Sequence, residues 1–378
     1  MRWSLLPEWM AYLILAFGIW YWISPHQAVS TPYTSVTWWR ESAWLGRAAL
    51  DPAAGDLPVF QSGVWRNREK ILWFDSSGDV RGALAVDPSG DTAVSVSGES
   101  AALYQKVGRE IVLQKFNGER LWTLESFSYP LLSPTGKRLA LLVTDTTSLS
   151  ILDANRNLLV SNFFLGTLMT DYAWCTFNED LVVGTVDGDL WRFDFQGRSL
   201  GRLRPGPSSK VPVIKGVAVS RTGQYVAALS GKRPEMLSLY SREGDLRWQT
   251  ETEYNRTERT GLHIDEDNRL VLEQVPEGVR VRSLVNGRIL YVFHFSAFAR
   301  EPTDWMVADT APGGLLVGLS GPGGRVVFYA RPEGRVVWKR DWADRDLSVL
   351  EICRTRPSDF LVGTSDLLLA FRLHEAVE

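Results

Sequence analysis

Residues 111–124 read IVLQKFNGERLWTL, two apolar runs on either side of a polar turn that contains Gly118. Short runs of Val, Ile, Leu and aromatic residues are typical of β-strands, and Gly accepts the positive φ that a tight reversal requires. The stretch therefore predicts a β-hairpin. Trp122 follows the turn glycine by four residues, and Trp248 and Trp338 hold the same place in two later copies.

This hairpin recurs along the chain at intervals of 37 to 47 residues. The seven turn positions are Gly78, Gly118, Asn155, Gly197, Gly244, Gly287 and Gly334. Asn155 is expected to take the glycine place in its copy, because Asn tolerates positive φ better than most residues. A repeat of this length matches one blade of a β-propeller, which is a sheet of four antiparallel strands.

A second hairpin lies between the copies of the first and also occurs seven times, at 85–96, 131–143, 175–185, 218–230, 263–274, 307–320 and 353–365. We expect it to supply the two inner strands of each blade, and the first hairpin to supply the two outer ones. Only one strand, within 366–374, follows the last copy. Strand material from the amino-terminal part should therefore complete the last blade, which closes the ring and hides its sheet edges.

The turns resemble those of two propeller families. FNGERLWTLES, REGDLRWQTE and RPEGRVVWKRD are similar to the G-x-x-x-W element of pyrroloquinoline-quinone-type repeats, and the S-P-T-G and D-P-S-G turns are similar to those of WD-repeat propellers. The resemblance covers most of the chain and implies a fold rather than a function. The predicted fold is all-β: a seven-bladed β-propeller of four-stranded blades over residues 58–378, preceded by one transmembrane helix.

The predicted transmembrane helix spans residues 9–25 and follows a short segment, 1–8. This stretch carries no full charge and is long enough to cross a hydrocarbon core of roughly 30 Å as a helix. The aromatic residues expected at the two membrane interfaces are Trp9, Trp20, Tyr21 and Trp22. A cleaved signal peptide and a buried core helix are the alternative interpretations of the segment.

The expected location is the inner membrane, with a single pass. Arg2 precedes the span, and the positive-inside rule then favours a cytoplasmic amino terminus and a propeller in the periplasm or outside the cell. The inverted orientation is the alternative. Residues 26–57 are expected to form a juxtamembrane amphipathic segment and linker. Within it, 34–50 is predicted to be a Trp-rich helix that lies either on the membrane or against the propeller.

The composition excludes several kinds of chemistry. A net charge of −3 argues against nucleic-acid binding, and two cysteines cannot form a disulfide framework. The four histidines lie in separate elements, and no catalytic fingerprint occurs in a suitable context. We therefore expect no enzymatic activity, catalytic residue, cofactor, metal or small-molecule substrate. The alternative is a ligand sensor or enzyme that uses the central channel, through Asp87, His263, Asp265 and Asp309.

The long loops between blades are expected to lie on one face of the propeller. They are rich in aromatic residues and Arg, which are the types enriched at protein-binding hot spots. The candidate residues are Phe163, Phe164, Tyr172, Arg204, Tyr254, Arg256, Arg259, Phe298, Arg300, Trp305, Trp342 and Arg345. The sequence thus predicts a scaffold subunit that docks other envelope or membrane proteins.

Overall fold

The computed structural model describes residues 33–41, 63–66, 70–74, 80–86, 90–95, 100–105, 109–205, 210–298, 302–303, 305–311, 313–342, 349–356, 359–364 and 367–374. The predicted transmembrane helix, with Trp9, Trp20, Tyr21 and Trp22, lies outside these residues. Within them, no helix has the length and apolar character that crossing a membrane requires.

The amino-terminal part contributes four of the described strands. They are β1 (Tyr33–Glu41), β2 (Gly63–Arg66), β3 (Lys70–Phe74) and β4 (Val80–Ala85). β2, β3 and β4 form a three-stranded antiparallel sheet, whereas β1 pairs elsewhere.

The remaining described strands build seven four-stranded antiparallel blades, the last of which includes β1. Blade 1 has β5 (Gly90–Val94), β6 (Ser100–Gln105), β7 (Glu110–Lys115) and β8 (Arg120–Glu125). Blade 2 has β9 (Tyr129–Leu132), β10 (Arg138–Leu142), β11 (Ser148–Asp153) and β12 (Leu158–Phe164). Blade 3 has β13 (Met169–Trp174), β14 (Leu181–Thr185), β15 (Leu190–Phe193) and β16 (Ser199–Leu203).

The second half of the chain repeats this arrangement. Blade 4 has β17 (Ile214–Val219), β18 (Tyr225–Ser230), β19 (Met236–Ser241) and β20 (Leu246–Glu251). Blade 5 has β21 (Leu262–Asp265), β22 (Leu270–Val275), β23 (Gly278–Ser283) and β24 (Ile289–His294), followed by the 3₁₀ helix η1 (Ser296–Phe298). Blade 6 has β25 (Trp305–Ala311), β26 (Gly314–Gly321), β27 (Gly324–Ala330) and β28 (Val336–Trp342). Blade 7 has β29 (Val349–Arg356), β30 (Asp359–Thr364), β31 (Leu367–His374) and β1. The predicted all-β, seven-bladed propeller of four-stranded blades is confirmed.

The ring is closed by β1, which is the outermost strand of blade 7. It pairs antiparallel with β31, from Tyr33 opposite His374 to Glu41 opposite Leu367. Amino-terminal strand material thus completes the last blade, as predicted, but the helix predicted for 34–50 is wrong over the part that β1 occupies. The run YTSVTWW is rich in β-branched and aromatic residues, which favour a strand. Pairing with the open edge of β31 therefore prevails over the helical spacing of its apolar residues.

The three-stranded sheet stands in the ring between blades 7 and 1, as an eighth sheet beside the seven four-stranded blades. On one side β2 contacts β29 and β30. On the other, the ring of Trp73 lies 6.2 Å from that of Phe116 in blade 1. Gly82 packs so closely on Phe116 that a Cβ would collide with it. The sequence pattern had assigned 71–84 to an outer hairpin and had not given it a sheet of its own.

Apolar clusters lie between adjacent blades and form the core. One of them joins Leu149 of blade 2 to Leu181 and Phe193 of blade 3, all of which are buried. A recurring hydrogen bond reinforces this packing: an aromatic donor on an outer strand reaches a carbonyl in the outer turn of the next blade. The three instances are Trp122 Nε1 to Ala154 O (2.9 Å), Trp248 Nε1 to Leu284 O (2.9 Å) and Tyr291 Oη to Pro332 O (2.6 Å).

Five of the predicted turn glycines have positive φ, namely Gly118, Gly197, Gly244, Gly287 and Gly334. The prediction for Asn155 is wrong by one residue, because positive φ falls on Arg156. The carboxylate of Asp153 explains the difference. It accepts hydrogen bonds from the main-chain N–H of Asn155 (2.9 Å) and of Asn157 (2.8 Å), and so sets the turn without a glycine.

Gly287→Ala is expected to destabilise the propeller more than Gly118→Ala, the matched control. Both glycines have positive φ, which costs an alanine about 1–2 kcal/mol. A Cβ at Gly287 would also lie 2.7 Å from the Trp248 ring, whereas nothing lies within 4 Å of one at Gly118. This overpacking should add about 1–3 kcal/mol to the loss of unfolding free energy. Urea unfolding measures both changes, and equal losses would contradict the inter-blade role of the turn.

Candidate protein-interaction face

The two ends of the blades carry different turns. In each meander, the turn from the second to the third strand and the connection to the next blade lie at one end, here named the upper face. The turns from first to second and from third to fourth strand lie at the other end, the lower face. The predicted loops between blades belong to the upper face.

The upper face exposes apolar side chains over blades 2 and 3. Phe164 is 64% exposed, Leu168 47% and Val186 38%, and Val211 in the next connection is 47% exposed. The N–H of Val186 donates to the carbonyl of Leu168 at 3.0 Å, which joins the loops of two blades. We name these four residues the blade 2–3 patch. Clustered exposed apolar side chains of this kind mark interaction sites more often than scattered ones.

The patch rests on a fixed aromatic layer. The ring of Phe163 lies 5.0 Å from that of Trp191 and 5.0 Å from that of Phe193, edge to face in both cases. Trp191 Nε1 also donates to the carbonyl of Leu165 at 3.2 Å. Phe163 therefore packs between blades, whereas the side chain of its neighbour Phe164 is exposed to solvent. Because the main chain is already held, a partner would meet a preformed surface.

Two arginines flank the patch on blade 3. Arg204 donates to Asp189 at 2.9 Å, and Arg202 lies 3.4 Å from the other oxygen of the same carboxylate. The Asp189 side chain is only 6% exposed, whereas each arginine is about half exposed. The guanidinium of Arg202 lies 5.6 Å from the centre of the Trp191 ring. An apolar centre with an Arg rim is the composition of a protein-binding surface.

A buried ion network lies under the other half of the upper face, between blades 4 and 5. Arg256 Nη2 lies 2.6 Å from a carboxylate oxygen of Glu235 and 2.7 Å from one of Glu273. Both glutamate side chains are 0% exposed, and that of Arg256 is 10% exposed. The sequence expectation of Arg256 as an exposed hot spot is therefore wrong, because the guanidinium neutralises two buried carboxylates.

Further cations complete the network. Lys215 Nζ lies 2.7 Å from Glu235, and Arg282 Nε lies 2.9 Å from Glu273. Burial by itself would raise the pKa of Glu235, but the hydrogen bonds and charge of Arg256 and the hydrogen bond from Lys215 outweigh it and hold that pKa below its usual value. The Arg256 pKa is raised for the reciprocal reason, despite burial. The loop that leaves β20 is thereby tied to the strands beneath it.

The other two candidates of this loop differ in exposure. Tyr254 is partly buried, donates to Glu277 at 2.6 Å, and has a raised pKa, owing first to burial and then to that carboxylate. Arg259 is 53% exposed and lies 2.5 Å from Asp171 of blade 3. Burial raises the pKa of Asp171 and the charge of Arg259 opposes the rise.

The remaining candidates divide into two groups. Tyr172 lies within β13 rather than in a loop and packs, partly buried, on the core, and Phe298 in η1 is buried at 1% exposure. Both expectations of exposed loop residues are wrong, since the apolar clusters of adjacent blades take these rings. Trp305 and Trp342 are strand ends whose side chains are outside the described part, as are Arg300 and Arg345 altogether.

The residues of the channel alternative take part in structural contacts. His263 lies 3.0 Å from the Thr310 hydroxyl on the next blade, and burial lowers its pKa to about 4. Asp265 accepts from the N–H and the side-chain amide of Asn268 and so caps a turn. Asp309 lies in β25 and is partly buried, and Asp87 is outside the described residues. In the described part of the chain, no three His, Cys, Asp or Glu residues are grouped to hold a metal ion.

Sequence reasoning missed Leu168, Val186 and Val211 as members of the face. Val186 occurs in TVDGDL, whose Gly and Asp residues predict a turn, and nothing in that pattern marks its apolar side chain as part of a surface. The ion network was missed as well. Its members come from β17, β22, β23 and two loops, and they meet only when blades 4 and 5 pack together.

Arg256→Ala is expected to destabilise the propeller by about 3–5 kcal/mol, because it leaves two buried carboxylates without their shared cation. Arg204→Ala is the matched control on the same face. It should change stability little, since its side chain is 50% exposed and Arg202 still faces Asp189. Urea unfolding of the purified chain distinguishes the two, and a fully stable Arg256→Ala variant would contradict the network.

Comparisons with known proteins agree with this architecture. A family model described as a beta-propeller protein matches residues 55–291. No curated protein matches the chain. The solved structure of BamB from Moraxella catarrhalis is similar, with a TM-score of 0.58 and 14% identity over 90% of this chain and 100% of that one.

Two further solved structures have the same level of similarity. Sqt1 from Chaetomium thermophilum, bound to the N-terminus of the ribosomal protein L10, has a TM-score of 0.58 and 15% identity, covering 82% of this chain and 92% of that one. The C-terminal WD40 domain of Sif2 has a TM-score of 0.58 and 12% identity, covering 83% and 93%. At these identities the likeness concerns the fold alone. Since the family match spans more than half of its length, the chain belongs to this family of beta-propeller proteins.

Proposed function

We propose that the chain is a membrane-anchored scaffold subunit whose propeller lies outside the cytoplasm and docks another envelope or membrane protein on its upper face. The observation that carries the docking is the blade 2–3 patch: Phe164, Leu168, Val186 and Val211 are all exposed on the upper face, and the loops of Leu168 and Val186 are hydrogen-bonded to each other. When a partner buries such a patch, each Å² of apolar surface removed from water contributes about 25 cal/mol of favourable free energy. Arg202 and Arg204 would supply the polar rim.

Two further observations support binding rather than catalysis. Sqt1, which has a similar fold, was solved in complex with a segment of another protein. In the present chain, His263 and Asp265, which a channel enzyme would need free, contact Thr310 and Asn268. We therefore include the absence of enzymatic activity in the proposal. The membrane part rests on the sequence of residues 9–25.

The double variant Phe164→Ser, Leu168→Ser tests the docking. The tagged full chain is extracted in mild detergent, and co-purifying proteins are quantified by mass spectrometry. The partner should fall about tenfold with this variant, since central apolar anchors dominate binding energy. The matched control is Leu158→Ser, Leu246→Ser, whose side chains are 57% and 52% exposed on outer strands. It should retain the partner. Equal recovery from both variants, or equal loss, would refute docking through the patch.

A reporter enzyme that is active only outside the cytoplasm tests the location when it is fused to the carboxyl terminus. We expect activity in the full chain, with the protein in the membrane fraction and resistant to salt extraction. Deletion of residues 9–25 should abolish both properties, because the span carries both export and anchoring. If the only active fusion is one to a reporter that works in the cytoplasm, the proposed location of the propeller outside the cytoplasm is contradicted.

A further inference from the structure

A second candidate binding site lies on the lower face, opposite the blade 2–3 patch. Turns of blades 2, 3 and 4 there enclose an open groove of about 660 Å³. The side chains that give it its character are two phenylalanines and four cations: Phe177, Phe195, Lys137, Arg138, Arg221 and Arg242. None of them takes part in the contacts of the upper face described above.

The aromatic part of the groove is exposed but firmly held. Phe177, in the first turn of blade 3, is 79% exposed, and Phe195, in the outer turn of the same blade, is 43% exposed. The N–H of Phe177 donates to the carbonyl of Arg221 at 3.1 Å. The carbonyl of Phe195 accepts from Arg138 Nε at 2.8 Å. Polar turns have no conformational need for Phe, so two exposed rings on fixed main chain indicate a surface shaped for a partner.

The charged part of the groove is cationic towards solvent, because the one carboxylate among its lining residues, Glu179, is buried at 7% exposure and accepts a hydrogen bond from Ser133. Lys137 is exposed and has no ion-pair partner among the described residues, and Arg138 donates to main-chain carbonyls. Arg221, 59% exposed, lies 3.1 Å from Asp267, and Arg242, 39% exposed, lies 3.3 Å from Asp180. The Asp180 carboxylate is only 7% exposed, so it pairs with Arg242 on the buried side of the guanidinium. Each ion pair uses one terminal nitrogen, Nη2, so the two partly exposed guanidinium groups keep further N–H donors.

We propose that this groove binds an acidic peptide segment that also carries an aromatic side chain. Carboxylates of the segment would accept charge-assisted hydrogen bonds from Arg221, Arg242 and Lys137, and its ring would pack on Phe177. An extended segment advances about 3.3 Å per residue, so a few residues suffice to cross turns of three neighbouring blades. A nucleic acid fits less well, because the chain as a whole has a net charge of −3 and presents no long basic stripe.

Fluorescence anisotropy on the full chain in detergent tests the proposal with three labelled probes. These are the peptide EFEEFE, its charge-reversed counterpart KFKKFK and a short oligothymidylate. We expect only EFEEFE to bind, and its affinity to fall as salt is raised, since the contacting cations are exposed. Stronger binding of the oligothymidylate or of KFKKFK would overturn the proposal, as would the absence of any EFEEFE binding.

Variants then locate the binding. Phe177→Ser and Arg221→Glu should each weaken EFEEFE about tenfold, the loss expected for a central contact. The matched controls are Phe164→Ser, which removes an exposed ring from the upper face, and Arg247→Glu, which reverses an exposed cation on β20. Both should bind EFEEFE as the parent chain does. Undiminished binding by both Phe177→Ser and Arg221→Glu, with folding verified by thermal unfolding, would refute the site.

Because Phe177→Ser leaves the blade 2–3 patch intact, it should still recover the partner of the upper face. The two proposals can therefore fail separately. Loss of the partner on Phe164→Ser, Leu168→Ser with unchanged EFEEFE binding supports two independent sites, whereas loss of both activities in either variant would mean that they form one site.

Discussion

A closed ring requires every sheet to pack against two neighbours, and in this chain one small contact recurs where that packing reaches the outer strands. An aromatic donor four residues past the turn glycine reaches the outer turn of the next blade, as Trp248 Nε1 reaches the carbonyl of Leu284. This instance combines an indole long enough to cross, a carbonyl in the turn, and a glycine, Gly287, that lets the ring lie against the turn. Tyr291 repeats the arrangement, since its ring lies 2.9 Å from the place of a Cβ on Gly334. Trp122 makes the same hydrogen bond to a turn that Asp153 sets without a glycine. The repeated contact thus aligns neighbouring sheets with one another.

Rigidity at both faces follows from this packing. On the upper face, Phe163 is clamped between rings of blade 3, which leaves Phe164 exposed in a fixed position. Between blades 4 and 5 the ion network fixes the loop of Arg256, because this residue bridges two buried glutamates from different blades. On the lower face, the main-chain N–H of Phe177 and the side-chain Nε of Arg138 each donate to a main-chain carbonyl of a neighbouring blade, and together they join three blades. A ring of small sheets can therefore hold binding residues still on loops that would otherwise be mobile.

The sequence predicted the fold well, because turn glycines and alternating apolar runs are local features that a period reveals. It predicted less well wherever a distant partner decides the outcome. YTSVTWW has helical spacing of its apolar residues, but β31 offers it an open edge, and the run becomes β1. Arg256 and Phe298 have the residue types of a binding hot spot, yet packing between blades buries both. Val186 was overlooked for the opposite reason, since its turn sequence says nothing about the loop of Leu168 that places it in a patch.

The central claim is that the upper face at blades 2 and 3 is where a partner docks, and site-specific photo-crosslinking in cells tests it most directly. A photoreactive phenylalanine analogue is placed in turn at positions 164 and 186 on the patch, and at positions 158 and 246, where the outer strands β12 and β20 begin at the lower face. All four native side chains are exposed, so access of the probe to solvent is comparable. The account predicts crosslinks to one other protein from positions 164 and 186 and none from positions 158 and 246. Crosslinks from positions 158 and 246 alone, or from none of the four positions, would contradict it.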